Sequence, residues 1–301
     1  MTVKFHPLSE KLELKYDFFR GTVDDHPASI LDALQRRLGM ESVSDSKGPP
    51  QYDYSRGLWR HAGDVEKKAA DVVVSFGGNS DAPPSVLGRG AIAHDLVPAV
   101  QAFWPDQTRV TRIDSCLDLS DGFDMIEAEM QRLHHEQHIK RMRYGVPETG
   151  QTFTLGSEKS PTKTRVYQKG LQMLPSMAPE ERGAYYGWTR VETEYRPRSA
   201  DKAKAIGLSP LDVWGTAKFS TYLIGWIAQQ NPTPLDRKPR MDRTALERFQ
   251  FAMRMYAKTI KEIGPDEAHR VLDQILNDEL GPLTRDEISP RAPAQSTSVV
   301  H

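Results

Sequence analysis

Arg165-Val-Tyr167-Gln-Lys169 sets a phenol between two cations at alternate positions, the spacing that turns all three side chains to one side of an extended strand. A tyrosine so placed can attack a phosphodiester and form a covalent phosphotyrosine, while the cations offset charge in the pentavalent transition state. Two further segments repeat the charged alternation. Arg112-Ile-Asp114-Ser-Cys116-Leu-Asp118 precedes the tyrosine, and Arg190-Val-Glu192-Thr-Glu194-Tyr-Arg196 follows it. Strand geometry gathers Arg112, Asp114, Cys116 and Asp118 on one face and leaves Ile113, Leu117 and Leu119 for a core; it groups Arg190, Glu192, Glu194 and Arg196 in the same way. If the three strands are neighbours, they form a polar floor whose carboxylates suit Mg²⁺ or Mn²⁺, cations that also accept phosphate oxygens. For any one strand alone, a solvated face is the plainer explanation.

The surrounding pattern indicates how such a floor is built. Leu14 to Val23 alternates as a strand, and His26 to Gly39 reads as a helix with Ile30, Leu31, Leu34 and Leu38 on one stripe and Gly39 as its stop. Ser44 to Pro50 reads as a loop, Tyr52 to His61 and Ala69 to Phe76 as strands, Gly77 to Pro84 as a loop, and Ile92 to Phe103 as a helix. A strand over Arg109 to Leu119 and a helix from about Gly122 to His138 come next, then strands over Gln151 to Ser157, Lys163 to Lys169 and Thr189 to Arg196. This succession predicts an α+β fold with a largely antiparallel sheet. Lys15-Tyr-Asp17 and Arg112-Ile-Asp114 each put an aspartate in a strand that leads to a helix, which suggests an internally duplicated strand–helix unit. After Pro197 the spacing turns helical, over Pro210 to Ala228, Asp242 to Ile263 and Pro265 to Leu280. The segment around Ser289-Pro-Arg-Ala-Pro is too poor in apolar residues to fold, and disorder is expected there.

Composition narrows the class further. The 301 residues are 38% hydrophobic and 27% charged, as in globular domains that bury a substantial core. A single cysteine, Cys116, excludes an intrachain disulfide and a thiolate metal cluster, which fits a reducing cytoplasm. The first thirty residues are charged and lack a continuous apolar core, so neither a signal peptide nor membrane association is expected. The formal net charge is only -1, yet residues 131 to 200 carry 12 Lys/Arg against 7 Asp/Glu, a local basic bias that permits nucleic-acid binding.

Other signals are weaker. His134-His135-Glu136-Gln137-His138 lacks the zinc-protease spacing and reads as an exposed helix end, where protonated imidazoles suit the dipole. Gly77-Gly-Asn and Gly88-Arg-Gly90 lack the Lys-Ser/Thr ending of a phosphate loop and read as turns. Lys140, Arg141 and Arg143 read as a solvated turn or as phosphate contacts, and Tyr185-Tyr186 near Trp188 is the best candidate for stacking on bases.

Arg-x-Asp-x-x-x-Asp, then Thr154-Leu-Gly156-Ser157, then Arg-x-Tyr-x-Lys, then Arg-x-Glu-x-Glu-x-Arg resembles the replication initiation factors of rolling-circle plasmids and filamentous phages; relaxases of some integrative elements are similar. The likeness spans roughly Asp17 to Arg196 and is concentrated after Arg112. It implies a metal-dependent nickase that joins its tyrosine to a 5′ phosphate, leaves a 3′ hydroxyl as primer and later rejoins the strand. On that resemblance Tyr167 is the nucleophile, Asp114 and Glu192 are the first metal ligands, and Asp118 and Glu194 are second choices. Arg165, Lys169 and Arg190 would hold phosphate, with Arg112, Arg196, Lys163, Lys140, Arg141 and Arg143 as further DNA contacts. The implied partner is DNA with a single-stranded nick site; a host helicase and a homodimer are further candidates. Gln168 follows the tyrosine where plasmid members often carry an acidic residue or Asn. The implied organisation is a catalytic part over 1–199, divisible at about 105, a helical region over 200–281 and a tail over 282–301. A non-catalytic DNA-binding regulator and a metal nuclease that uses water are the competing functions.

Overall fold

The computed structural model describes residues 12–64, 69–78, 82–178, 180, 182–234 and 257–276. Ten strands form one sheet: β1 (Leu14–Val23), β2 (Ser42–Asp45), β3 (Tyr54–Trp59), β4 (Val72–Phe76), β5 (Ser85–Arg89), β6 (Thr108–Leu119), β7 (Arg141–Tyr144), β8 (Thr152–Leu155), β9 (Thr162–Tyr167) and β10 (Thr189–Tyr195). Their order is β2-β3-β4-β5-β1-β6-β10-β9-β8-β7, and every pairing is antiparallel. The α+β expectation therefore holds, and the order carries the duplicated unit. β1 leads into helix α1 (Pro27–Leu38) and the chain returns through β2 to β5 to lie beside β1. β6 leads into α3 (Phe123–Gln137) and returns through β7 to β10 to lie beside β6. The units meet where β1 pairs with β6.

Local chemistry explains the helix ends. In α1, Pro27 stands in the first turn, the His26 ring accepts from the Ala28 amide at 3.3 Å, and Gly39 closes the helix with φ 64°. That left-handed geometry favours glycine over residues with a Cβ. Helix α2 (Ala91–Phe103) starts at Gly90, whose φ of 65° and ψ of -143° turn the chain out of β5; its amide donates to the carbonyl of Asp17 at 2.7 Å.

Helices cover one face of the sheet. Ile113, Phe19 and Val110 pack with Ile30 and Leu34 of α1 and Leu96 and Val97 of α2. Leu117, Leu119, Val191 and Val166 pack with Ile126 and Met130 of α3, and with Trp214 of α6 (Pro210–Trp214) and Leu223 of α7 (Lys218–Ala228). Fully burying such a side chain contributes about 1.5–3 kcal/mol, so Ile113→Ala, which also leaves a cavity, costs about 2–5 kcal/mol. Trp214 Nε1 donates to Ser115 Oγ at 3.0 Å, tying α6 to the helix-covered side of β6. α4 (Lys169–Met173) and α5 (Asp201–Lys204) are single-turn connectors.

The structure differs from the expected elements in several places. Ser42–Asp45, which runs into the expected Ser44–Pro50 loop, and Arg141–Tyr144, on the expected turn, are strands at the two sheet edges. Ser85–Arg89 is a central strand rather than a glycine turn. The expected helix over Pro210 to Ala228 breaks at Gly215, where an added Cβ would meet the Thr233 carbonyl at 2.3 Å. The chain divides into two compact units, 1–237 and 238–301, with the sheet and α1 to α7 in the first. In the second, α8 (Ala257–Ile263) and α9 (Pro265–Leu276) follow one another across Gly264. Most of the expected Asp242–Ile263 helix, the end of the Pro265–Leu280 helix and the tail over 282–301 lie outside the described residues. Among the described residues no helix is long and apolar enough to cross a membrane.

Candidate active site

The face of the sheet opposite the helices carries the charged side chains. Register fixes their rows: Tyr167 is opposite Arg190, which is opposite Asp118; Arg165 is opposite Glu192, which is opposite Cys116; and Lys163 is opposite Glu194, which is opposite Asp114. The three charged segments are thus adjacent strands, β9, β10 and β6, and their polar faces coincide. An open cavity of about 310 Å³ lies above them, bordered by Tyr167, Arg165, Glu192, Asp114 and Arg112 together with Asp17, Phe18, Arg89, Tyr144 and Thr152.

At its centre the Tyr167 hydroxyl donates to Glu192 Oε2 at 3.2 Å. Arg165 binds the other oxygen, Oε1, and also stands 3.7 Å from Asp114 Oδ2. Arg112 grips Asp114 with Nε at 2.9 Å from Oδ1 and 3.1 Å from Oδ2. Both carboxylates lie deep, Asp114 at 0% and Glu192 at 2% exposure. Burial pushes the Asp114 carboxyl well above the ordinary carboxylate range; Arg112 opposes this and the neighbouring Glu192 charge reinforces it. Glu192 feels the same burial, but Arg165 and a hydrogen bond from Asp114 outweigh it and hold its carboxyl below the ordinary range. The pair thus splits, with Asp114 favouring its neutral form and Glu192 its ionised form. Burial, and next the Glu192 charge, raise the Tyr167 phenol well above its usual value, so the resting hydroxyl is protonated. Lys169 sits in the first turn of α4 rather than in the strand, its Nζ 5.9 Å from the centre of the Tyr167 ring.

Other expected site residues are placed around this centre. Arg190 binds Asp118 through two nitrogens at 2.7 and 2.8 Å and Asp17 through a third at 2.7 Å, and Trp188 Nε1 also donates to Asp118 at 2.8 Å. Glu194 collects Arg112 at 3.1 Å, Lys163 at 3.3 Å and Arg196 at 2.8 Å, and Lys163 also meets Glu158. All four carboxylates are held by cations, and of the four only Asp114 and Glu192 border the Tyr167 cavity. Lys140 is exposed beside β7. Arg141 and Arg143 are opposite Leu155 and Phe153, on the helix-covered face, and Arg143 pairs with Glu127 of α3 at 3.2 Å. They do not border the Tyr167 cavity. His134 Nδ1 donates to the Ile139 carbonyl, at 2.6 Å, as part of the α3 C-terminus. Gln168 closes the β8–β9 hairpin, its Oε1 accepting from the Gln151 amide at 2.9 Å. Burial raises the Cys116 thiol, which keeps it protonated beneath the floor. Tyr185 packs on Trp188 at 5.7 Å between ring centres.

Asp17 was legible only as the counterpart of Asp114 in the duplicated unit. It is the extra residue of a bulge in β1, between Tyr16, opposite Ser115, and Phe18, opposite Asp114, and the bulge aims it at Arg190. Burial raises its carboxyl, with Arg190 opposing. Arg89 and Tyr144 reach the cavity from β5 and β7, and no local signal marked either.

As for metal, Asp114 and Glu192 form an adjacent pair of oxygen donors opening on the cavity, which fits a cation that takes one or two carboxylates and completes its shell with phosphate and water. Among the described residues no group of three or more His, Cys, Asp or Glu is arranged to enclose an ion.

Neither a protein-family model nor a curated protein matches the sequence. Among solved structures, the chain is similar to a rolling circle replication initiator protein from Geobacillus stearothermophilus, with 16% identity, 74% of this chain and 99% of that chain covered, and a TM-score of 0.49.

Proposed function

We propose that this protein nicks one DNA strand through Tyr167 and later rejoins it, as an initiator of rolling-circle replication. The observation that carries the reading is the Tyr167–Glu192 hydrogen bond at the floor of an open cavity: a phenol with a carboxylate acceptor beside it and a guanidinium at that carboxylate. The order of the charged motifs, which resembles that family, supplies the choice of DNA over other phosphodiesters.

In this reading Tyr167 Oη attacks the scissile phosphorus and its proton passes to Glu192. The P–O3′ bond breaks, the 3′ oxygen leaves with the electron pair and takes a proton from water, and the 5′ phosphate stays on the tyrosine. Arg165 and Lys169 would offset charge on the phosphate oxygens. Rejoining reverses these changes, with Glu192 returning the proton to the departing phenolate. Asp114 and Glu192 would hold Mg²⁺ or Mn²⁺, which when bound makes the phosphate more electrophilic and the phenol more acidic. Lys163, Arg112, Arg196 and Lys140 extend the cationic face beside the cavity, and Arg190 holds the row that contains Tyr167.

A single-stranded, end-labelled oligonucleotide incubated with the protein and Mn²⁺ is expected to yield a labelled adduct that survives denaturing electrophoresis, absent with Tyr167→Phe. An unmodified protein that makes no adduct sinks the reading. Cleavage that persists in Tyr167→Phe without attached protein favours a nuclease that uses water.

A further inference from the structure

Most cations on the polar face of the second half-sheet are already matched. Arg165 has Glu192 and Asp114, Arg190 has Asp17 and Asp118, and Lys163 and Arg196 share Glu194. The first half-sheet differs. Arg20 on β1 and Arg89 on β5 lie on the same face, since Arg20 is directly opposite Arg112, and Arg89 is opposite Phe18, itself opposite Asp114. Among the described residues neither guanidinium has a hydrogen-bonding or ion-pair partner.

For Arg20 the surroundings make this costly. Like charges directly across a sheet destabilise the pairing, and Arg20 stands opposite another arginine. Arg112 does not relieve it, because its donors go to Asp114 and Glu194 and its guanidinium carbon lies over the Phe18 ring, 4.1 Å from the ring centre. Arg89 is exposed and borders the same cavity as Tyr167, roughly 23 Å away, four strand spacings across and four residues along. An anion over β1 and β5 would offset the repulsion and use donors that the folded chain leaves open. The repeated topology gives this sense: one half of the sheet holds the reacting groups, and the equivalent half has no matching carboxylates on β5 but keeps these arginines.

We infer that Arg20 and Arg89 form a phosphate-binding site that grips the backbone of the strand running out of the Tyr167 cavity. The site rests on the nicking reading for the direction of that strand, and its ligand is the phosphodiester backbone of single-stranded nucleic acid. Arg190, whose donors are already bound to Asp17 and Asp118, offers such a backbone fewer open hydrogen bonds.

The test is fluorescence anisotropy of a labelled oligothymidylate with the full chain over a salt series. Each lost phosphate contact on a single strand lowers the slope of log affinity against log salt by about 0.7, so Arg20→Gln with Arg89→Gln is expected to lower it by about 1.4. Lysine at both positions is expected to restore most of the slope, and Arg36→Gln on the helix layer to leave it unchanged. Removing Arg20 relieves repulsion, so the melting temperature of the double glutamine variant is expected not to fall. An unchanged slope, or no binding of the oligothymidylate by the parent, overturns the site. The adduct assay reads the nicking proposal separately: an adduct with an unchanged slope overturns only the arginine site, and a lowered slope without any adduct overturns only the nicking.

Discussion

Tyr167 and Glu192 come from adjacent antiparallel strands two residues out of register, and the phenol donates to the carboxylate at 3.2 Å while Arg165 holds the carboxylate's other oxygen. If Glu192 takes the phenol's proton, Glu192→Gln preserves the shape and a hydrogen-bond acceptor but removes the base. Nicking is expected to fall by about 10²–10⁴-fold, with oligonucleotide affinity nearly kept. Single-turnover adduct formation measures it, and a loss below tenfold would show that the proton goes elsewhere.

Of the four expected metal ligands, Asp114 and Glu192 are the two that border the Tyr167 cavity. Adduct formation is expected to stop in EDTA and return with Mn²⁺ or Mg²⁺. Asp114→Asn is expected to raise the Mn²⁺ concentration for half-maximal adduct by at least roughly tenfold. An unchanged metal requirement in that variant would remove Asp114 from the ligand set.

Tyr16, on the helix-covered face of β1, donates to the Leu208 carbonyl at 2.5 Å, and burial pushes its phenol up to about 12. The group is neutral in the folded state, so its contribution holds below the unfolded phenol's value near 10 and is lost as pH rises from about 10 to about 12, roughly 2–3 kcal/mol in all. Tyr16→Phe is expected to cost about 1–3 kcal/mol at neutral pH by stranding the Leu208 carbonyl, and to flatten the alkaline limb. Urea melts at neutral pH and near pH 11 compare the two proteins; equal alkaline losses would contradict the assignment.

The charged alternation in Arg112 to Asp118, Arg165 to Lys169 and Arg190 to Arg196 was enough to group side chains by face, because a strand has a period of two whatever its neighbours are. Adjacency was another matter. It depends on pairings between strands far apart in sequence, so Arg89 and Tyr144, on segments read as turns, were not legible as site residues. Those segments, like Ser42–Asp45, are four or five residues long, and pairing rather than intrinsic preference makes them strands. Lys169 follows the same logic in reverse. The strand pattern runs through it, yet the chain turns into α4 at that residue, where Gly170 comes so close to Tyr185 that an added Cβ would lie 1.7 Å from its carbonyl.

Arg190 marks the difference between a cation that binds the fold and one that binds a ligand. Its side chain joins Asp118 of β6 to Asp17 in the β1 bulge, so it links the two halves of the sheet beneath the cavity. Only 13% of it is exposed, and burial, opposed and outweighed by these carboxylates, leaves its guanidinium firmly charged. Removing one member of a buried network strands the others, at about 3–5 kcal/mol. Arg190→Gln is therefore expected to lower the free energy of urea unfolding by about that amount while leaving the salt dependence of oligothymidylate binding intact. A stable variant with a shallower salt slope would instead make Arg190 a phosphate contact, and would move the strand's path from the Arg20–Arg89 side to the row that holds Tyr167.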